Sequence, residues 1–459
     1  MFLSLDKTRR GRLDAGEILQ GKGIARLKVA IATLGCKVNQ YESAGILEAL
    51  ERRGFDIVTF DQPADYYVIN TCTVTARSDV QSRQLIRRAA RNNPQAQIIV
   101  TGCYAKLAAD DLRKLPGVAL VTDQKAMIPD AIAAAKPPEG IVLPNLAEFP
   151  PDFSGLKPVR FDGHTRAFLK IQDGCNSRCR YCIVPFARGP SRSVPEREVL
   201  TRIDELSRTG FREIVLTGIH LGAYGADLTA PTDLFTIVKA VSDHRAVERL
   251  RLSSIEPMEI TDSLIALFEH SRVLCRHLHI PLQSGDDGIL NRMGRPYDSA
   301  FFAHLLEKIW RAVPDLAVGL DVMVGFPGED KQAFERTIQF IADSPVAYLH
   351  VFPYSERPGT EAAAMPGKVS DADKKDRAER MRSLGKRKRT AFAQRFLGEQ
   401  MAVLVEGKPD RKTGLWKGFS GNYIPVMLED GDVTRVNQIV QVRADRCQDG
   451  KLHGRIVDV

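Results

Sequence analysis

Three cysteines fall within eight positions in the stretch DGCNSRCRYCIVP, residues 173–185: Cys175, Cys179 and Cys182, spaced C-x3-C-x2-C. Thiolates are soft ligands for zinc and for iron–sulfur clusters. In a chain without a secretory signal, clustered cysteines read as metal ligands before disulfides. A structural zinc and an ordinary cubane cluster each take four protein ligands. Three thiolates on one loop can instead hold three irons of a four-iron cubane and leave the fourth free for a small molecule. The missing fourth cysteine then reads as a binding position. Spacing by itself also admits a structural zinc.

Three further cysteines are far apart in sequence yet alike in setting. Cys36 in TLGCKVNQYES, Cys72 in NTCTVTARSD and Cys103 in TGCYAK each end a predicted strand. The carboxyl ends of a parallel sheet share one edge, and ligands bind in the crevice outside it. If the strands are neighbours, the thiols converge on a second three-thiolate site. Cysteines buried in a core would give the same pattern, but the surroundings here are polar and rich in Gly and Thr. Cys275 and Cys447 are left over, without a role.

The elements that must position these groups follow from apolar patterning. From position 28 to about 132, strands (KVAIATLGC, YYVINTC, AQIIVTGC) alternate with helices (YESAGILEALERRG, ARSDVQSRQLIRRAARNNP). Such βαβ alternation predicts an amino-terminal, Rossmann-like parallel sheet over 27–135. Prolines and glycines break the rhythm over 136–160, which reads as a linker. The alternation resumes over 161–395 with six strands, AFLKIQ, EIVLTG, RLRLSSIE, HLHIPLQ, LDVMVGF and LHVFPYS. Six βα units are fewer than the eight that close a barrel, so a partial, open (βα)6 barrel is expected. One helix, SVPEREVLTRIDELSRTG, is expected to start with Ser193 as cap and Pro195 in its first turn and to stop at Gly210. Its apolar face is Val199, Leu200, Ile203 and Leu206. Over 396–459, five short strands without intervening helices predict a small antiparallel β-barrel. The three-cysteine loop follows the first of the six barrel strands and so lies at the face where βα barrels carry their sites.

The chain has 459 residues, 44% of them hydrophobic, and a formal net charge of +8. That length implies several domains. No apolar run is long enough to span a bilayer. Residues 1–26 lack a signal-peptide core, and Asp6, Asp14 and Glu17 are unlike an organelle transit peptide. A disordered tail and a cytoplasmic location are expected. The excess charge is concentrated: 371–395 carries ten Lys and Arg against four Asp and Glu, and 76–91 carries Arg77, Arg83, Arg87, Arg88 and Arg91 against one Asp. Such surfaces bind phosphates by releasing counterions, although a charge run is also an ordinary solvated helix face. From 396 on, nine basic and nine acidic residues balance. Trp416, Phe419 and Tyr423 there could stack on unpaired bases or be core.

The C-x3-C-x2-C spacing, with Tyr181 before the last cysteine, resembles the radical S-adenosylmethionine (SAM) superfamily. With LTGIHLGAYG (216–225), SSIEP (253–257), HIPLQSG (279–285), DVMVGFPGE (321–329) and HVFPYSERPGT (350–360), nearly the whole chain from about position 28 resembles the methylthiotransferase family. That resemblance implies an amino-terminal cluster domain, a central radical SAM domain and a carboxy-terminal TRAM domain. It implies two 4Fe-4S clusters: one on Cys175, Cys179 and Cys182 that cleaves SAM to a 5′-deoxyadenosyl radical, and an auxiliary one on Cys36, Cys72 and Cys103 that presents sulfur. A second SAM would donate the methyl group. It implies that Tyr181 lies near the SAM adenine, that Thr217 and Gly218 stand where the superfamily contacts the methionine amine, that Ser254 and Glu256 face the ribose or amine, and that Gln283 faces the substrate.

TLGCKVNQYES is similar to the branch acting on N6-threonylcarbamoyladenosine at position 37 of tRNA, where a methylthio group replaces the hydrogen at C2. The isopentenyladenosine branch typically reads Tyr-Gly-Cys-Gln-Met-Asn there, whereas this chain has Leu34, Lys37 and Val38. An unactivated aromatic C–H is beyond side-chain acid–base chemistry, which is why a radical generator is needed. The implied partners are the tRNA anticodon arm, a reduced electron donor protein and a sulfur source, with no membrane. The competing readings are a methylthiotransferase acting on isopentenyladenosine or on a ribosomal-protein aspartate, and a non-catalytic iron–sulfur RNA-binding protein or redox sensor.

Overall fold

The computed structural model describes residues 26–133 and 155–457; the expected tail over 1–26 lies outside the described residues except for residue 26, and of the linker expected over 136–160 only 155–160 is described, where the Val159 N–H donates to Glu48 on the first helix. In the first unit, strands β1 (Lys28–Thr33), β2 (Asp56–Val58), β3 (Tyr66–Thr71), β4 (Gln97–Gly102) and β5 (Val118–Val121) form one parallel sheet in the order β2-β1-β3-β4-β5. The short edge strands β2 and β5 were not evident from patterning. Helices α1 (Lys37–Arg52), α2 (Ala76–Asn92), α3 (Cys103–Leu107), α4 (Ala109–Arg113) and α5 (Ile128–Ala133) complete the unit. Apolar clusters cover both faces of the sheet, as a parallel sheet requires. Thr75 caps α2 by accepting from the Ser78 N–H, with Asp79 in the first turn.

The central unit holds the six expected strands: β6 (Ala167–Lys170), then, after a short antiparallel pair β7 (Gln172–Asp173) and β8 (Arg192–Ser193), β9 (Glu213–Thr217), β10 (Arg249–Leu252), β11 (His277–Gln283), β12 (Ala317–Val324) and β13 (Tyr348–Pro353). They pair in parallel as β6-β9-β10 and β11-β12-β13. The halves are joined by a bridge between Leu250 and Leu274 and by the Ile255 N–H donating to the His279 carbonyl at 3.0 Å. The result is an open (βα)6 barrel whose edges are β6 and β13. Its helices are α6 (Val184–Arg188), α7 (Glu196–Arg208), α8 (Leu234–His244), α9 (Asp262–His270), α10 (Asp287–Met293), α11 (Ser299–Ala312), α12 (Lys331–Asp343) and α13 (Asp371–Gln394), and one continuous apolar core runs through the barrel.

The expected cap of α7 is corrected. The helix begins after Pro195, and the Ser193 hydroxyl is in β8, donating to Asp227 and accepting the Gly225 N–H. Proline presets the entry dihedral without needing a hydrogen bond, so the serine is free for another task. Gly210, at φ 94°, follows the helix as expected.

Strands β14 (Gln400–Val405), β15 (Trp416–Ser420), β16 (Pro425–Leu428), β17 (Ile439–Gln448) and β18 (Lys451–Ile456) close into a barrel in the order β14-β15-β16-β18-β17. Four of its pairings are antiparallel and the β16–β18 pairing is parallel. This barrel seals the amino-terminal end of the (βα)6 barrel. Arg249 donates to the Phe419 and Ala402 carbonyls, Arg251 to the Gly421 carbonyl, and Arg166 pairs with Glu406 at 2.5 Å. Beneath them Glu213 is buried and takes Arg166 at 2.7 Å and Arg251 at 2.6 Å. Phe419 and Tyr423 stack on each other at 4.9 Å, with Arg166 and Arg251 over their faces. These rings are occupied at the domain junction, and Trp416 packs on the small barrel's own core, so the base-stacking expectation gives way to a packing role.

Candidate active site

The opposite end of the (βα)6 barrel lies under the amino-terminal sheet. Cys36 and Cys72 follow β1 and β3, and Cys103 follows β4 directly. Because β1, β3 and β4 are adjacent, all three thiols stand at one sheet edge. Gly35 makes their approach possible: at φ 101°, its missing Cβ would lie 3.0 Å from the Cys72 Sγ. The Cys103 charge contributes to the raised pKa of both Cys36 and Cys72, where burial is the largest cause. Cys36 keeps accessible surface although protein surrounds it, as expected of a group lining an internal cleft.

The three-cysteine loop leaves β7 and returns to β8, so an antiparallel pair clamps its base. Gly174 makes the turn at φ 75°, where a Cβ would collide with the Pro190 carbonyl. Burial pushes the Cys182 thiol up to about 12, with the charges of Cys179 and Cys175 adding to it. Burial also pushes Cys175 up, but His220 and the Ser177 N–H outweigh it and the net shift is downward. His220 Nδ1 lies 3.5 Å from the Cys175 Sγ, and its Nε2 lies 2.6 Å from Glu259.

Thiolates about 2.3 Å from one zinc lie within about 4 Å of each other. Among the described residues, no three cysteine sulfurs lie mutually within 4.8 Å; the group that does is His279, Asp321 and His350. That group sits on the barrel's inner wall and could hold an ion. Asp321 is 2.8 Å from His279 and 3.5 Å from His350. Burial would raise its carboxyl, but the two imidazoles hold it far below the usual carboxylate range.

Arg188, six residues after Cys182, joins the two thiol sets. It is buried, and its Nε donates to the Cys103 Sγ at 3.1 Å. Its two Nη groups donate to Glu42 at 2.5 Å and to Asn39, and Asp173 lies at 3.5 Å. Asn39 in turn accepts from the Cys36 thiol at 3.8 Å. Lys170 and Lys125 complete the cluster by pairing with Glu42. Burial would raise the Glu42 carboxyl, but Arg188, Lys125 and Lys170 bring it down to about 2. On the far side, Arg357 reaches from beyond β13 to Thr73 and Asp79, each at 2.7 Å. The amino-terminal unit is thus tied to both edges of the open barrel.

The residues expected near SAM divide into two groups. Arg295 gathers Cys179, Tyr181 and Glu256: it donates to the Cys179 Sγ at 3.2 Å and pairs with Glu256, and its charge acts on the Tyr181 hydroxyl, which burial holds well above its usual pKa. Thr217 is buried at the end of β9, and Gly218 lies against Gln172, which would clash with a Cβ there. Gln172 accepts from the His220 N–H at 2.8 Å, so these residues brace the Cys175 side. Ser254 is exposed. Gln283 stands at a bulge in β11 with φ 66°, a strained conformation for such a side chain. Neither Ser254 nor Gln283 makes a side-chain hydrogen bond among the described residues. Arg188, His220, Arg295 and Arg357 were not singled out from the sequence, although His220 lies within LTGIHLGAYG and Arg357 within HVFPYSERPGT, two of the strings that carry the resemblance.

The open barrel with a three-thiolate loop after its first strand defines a radical SAM enzyme. Residues 169–341 match the profile of the Radical SAM superfamily, and residues 28–123 match the Uncharacterized protein family UPF0004. The chain is 40% identical to the threonylcarbamoyladenosine tRNA methylthiotransferase MtaB of Bacillus subtilis, covering 90% of this chain and 93% of that protein. It is 36% identical to the protein of the same description from Thermotoga maritima, covering 86% and 90%. It is 33% identical to the tRNA-2-methylthio-N(6)-dimethylallyladenosine synthase of Lawsonia intracellularis, covering 87% and 92%. Among solved structures, the radical SAM methyltransferase TsrM from Kitasatospora setae, with cobalamin and a 4Fe-4S cluster bound, shares the fold at a TM-score of 0.54 and 15% identity over 74% of each chain. The chain belongs to the radical SAM methylthiotransferase family, and iron–sulfur chemistry with SAM is its equipment.

Proposed function

We propose that this enzyme replaces the C2 hydrogen of N6-threonylcarbamoyladenosine, at position 37 of tRNA, with a methylthio group. The observation that carries the reading is Arg188, six residues after Cys182 in the barrel loop, whose Nε donates to the Cys103 Sγ at 3.1 Å and so ties the loop of one thiol set to the sheet edge of the other. The identity to the Bacillus subtilis protein supports the choice of substrate.

In this reading Cys175, Cys179 and Cys182 hold one 4Fe-4S cluster and Cys36, Cys72 and Cys103 a second. Together with SAM these groups supply the radical, the sulfur and the methyl group. The remaining residues position them. Arg295 donates to the Cys179 sulfur and fixes the Glu256 carboxylate. His220 donates toward the Cys175 sulfur while Glu259 and Gln172 orient its ring and backbone. Hydrogen bonds from charged donors to thiolate sulfurs stabilise the anionic form and tune a bound cluster. Tyr181, Thr217, Gly218, Ser254 and Glu256 line the SAM side, and Gln283 the substrate side. No helix among the described residues is long and apolar enough to cross a membrane, and the enzyme would meet tRNA, a reduced electron donor protein and a sulfur source in the cytoplasm.

Mass spectrometry of tRNA nucleosides from a strain lacking the gene tests this. The reading expects 2-methylthio-N6-threonylcarbamoyladenosine to disappear, its precursor to accumulate, and the wild-type gene to restore the product. Persistence of the product in a strain with no second such enzyme would overturn it.

A further inference from the structure

Lys37 is the first residue of α1 and the neighbour of Cys36, and it is exposed to the cleft rather than packed. Its charged neighbours are Arg251 on β10, Cys36 and Asp321 on β12. Strands β10 and β12 lie in opposite halves of the barrel wall, so Lys37 projects from the sheet edge into the barrel interior. Four arginines around the cleft and the barrel wall are committed. Arg188 is held by Glu42 and Asp173, Arg251 by Glu213, Arg295 by Glu256, and Arg357 by Asp79. Lys37 makes no ion pair and no hydrogen bond among the described residues. Asp321, the carboxylate nearest in charge, is already engaged by His279 and His350. Burial holds the His277 ring well below its usual pKa, and Arg251 and Lys37 are among the charges that push it the same way.

An ammonium that faces the cleft without an ion pair or hydrogen bond of its own can take an anion from outside. The substrate proposed above brings one, because the threonine portion of N6-threonylcarbamoyladenosine ends in a carboxylate. The N6 substituent and C2 flank the same ring nitrogen, N1. A base whose C2 faces the Cys36 side of the cleft therefore carries its carboxylate within reach of the side chain next to Cys36. We propose that Lys37 is the specificity-determining residue that pairs with the threonyl carboxylate of the base, with His350, which shares Asp321 with His279, as a secondary donor through its other ring nitrogen. His350 also lines a cavity of about 240 Å³ with Tyr348, Arg389 and Tyr423, at the junction of the (βα)6 barrel with α13 and the small barrel. This inference rests on the proposed function and deepens it.

The test measures binding of anticodon stem-loop RNAs to the anaerobically reconstituted full-length protein. Three RNAs differ only at the base beside the anticodon: unmodified adenosine, N6-threonylcarbamoyladenosine and its methyl ester, which lacks the negative charge. Wild type is expected to bind the acid about tenfold more tightly than the ester. Lys37→Gln should bind acid and ester alike, Lys37→Arg should restore much of the preference, and His350→Phe should reduce it by a smaller factor. Iron content and the visible spectrum of each variant report whether the clusters are intact. An equal loss of affinity for all three RNAs in Lys37→Gln would make Lys37 a backbone-phosphate ligand and overturn the proposal, as would a preference for the acid that survives the substitution. If wild type does not methylthiolate the threonylcarbamoyl RNA at all, the functional reading itself fails. If it does so while Lys37→Gln keeps the preference, only this inference fails.

Discussion

Cys175, Cys179 and Cys182 are held by eight residues of one loop, whereas Cys36, Cys72 and Cys103 are spread from position 36 to position 103 and meet only when β1, β3 and β4 align. The first set depends on local chain geometry, the turn at Gly174 and the clamp of β7 on β8. The second depends on the order of strands in a sheet and is a property of the whole amino-terminal unit. Their electrostatic settings differ at Cys175. Burial pushes Cys36, Cys72 and Cys182 up, whereas His220 and Ser177 bring the Cys175 thiol down. Each set has a guanidinium on one sulfur, Arg295 on Cys179 and Arg188 on Cys103.

The largest expected effect separates the two sets. Cys179→Ala should abolish 5′-deoxyadenosine formation and remove about half of the iron, whereas Cys72→Ala should remove a similar share yet still cleave SAM without making methylthio product, as iron assays and chromatography of the nucleoside products would reveal. If Cys72→Ala also lost SAM cleavage, the division of labour would be wrong. Next comes the link between them. Arg188→Met leaves the Glu42 and Asp173 carboxylates buried with less compensation, which should cost about 3–5 kcal/mol in denaturant unfolding, and Arg188→Lys should recover part of that loss. A change confined to activity would mean that Arg188 is not a structural joint.

A slightly smaller effect tests the lower junction, far from either set of thiols. Burial pushes the Glu213 carboxyl up, but Arg251, Arg166 and Arg249 bring it down from 4.5 to about 2. A depressed carboxylate stabilises the fold above its unfolded pKa and loses that contribution as pH falls. Glu213 should therefore account for about 3 kcal/mol of stability that vanishes between about pH 4.5 and pH 2. Urea unfolding across that range should be flatter in Glu213→Gln than in wild type. The smallest effect concerns α13. Arg382 and Lys386 are exposed on a helix whose other face, Met381 and Leu384, is buried. Replacing each with Gln should weaken tRNA binding a few-fold and lower the salt slope by about one for each phosphate no longer neutralised. An unchanged slope would return that face to the role of an ordinary solvated helix.

The same contrast explains what could be read from the sequence. The loop cysteines declared themselves by spacing, and the strand-end cysteines by their place in the βαβ alternation, because both signals are short-range. The six barrel strands and the five of the small barrel followed from apolar runs bounded by turns. Arg188, His220, Arg295 and Arg357 did not, since nothing local marks an arginine that will bond to a thiol some 85 positions away in sequence. Ser193 was misassigned as a helix cap because its real partner, Asp227, becomes a neighbour only through the fold. Tyr423 and Phe419 could not be told from base-stacking rings until the small barrel docked on Arg166 and Arg251.

Iron and acid-labile sulfide quantification on the anaerobically reconstituted wild-type chain tests the central claim most directly. Two facing sites with three thiolates each predict about eight irons and eight sulfides per chain, in the proportion of two cubanes. A saturating value of about four of each would leave the strand-end cysteines without a cluster and contradict the account.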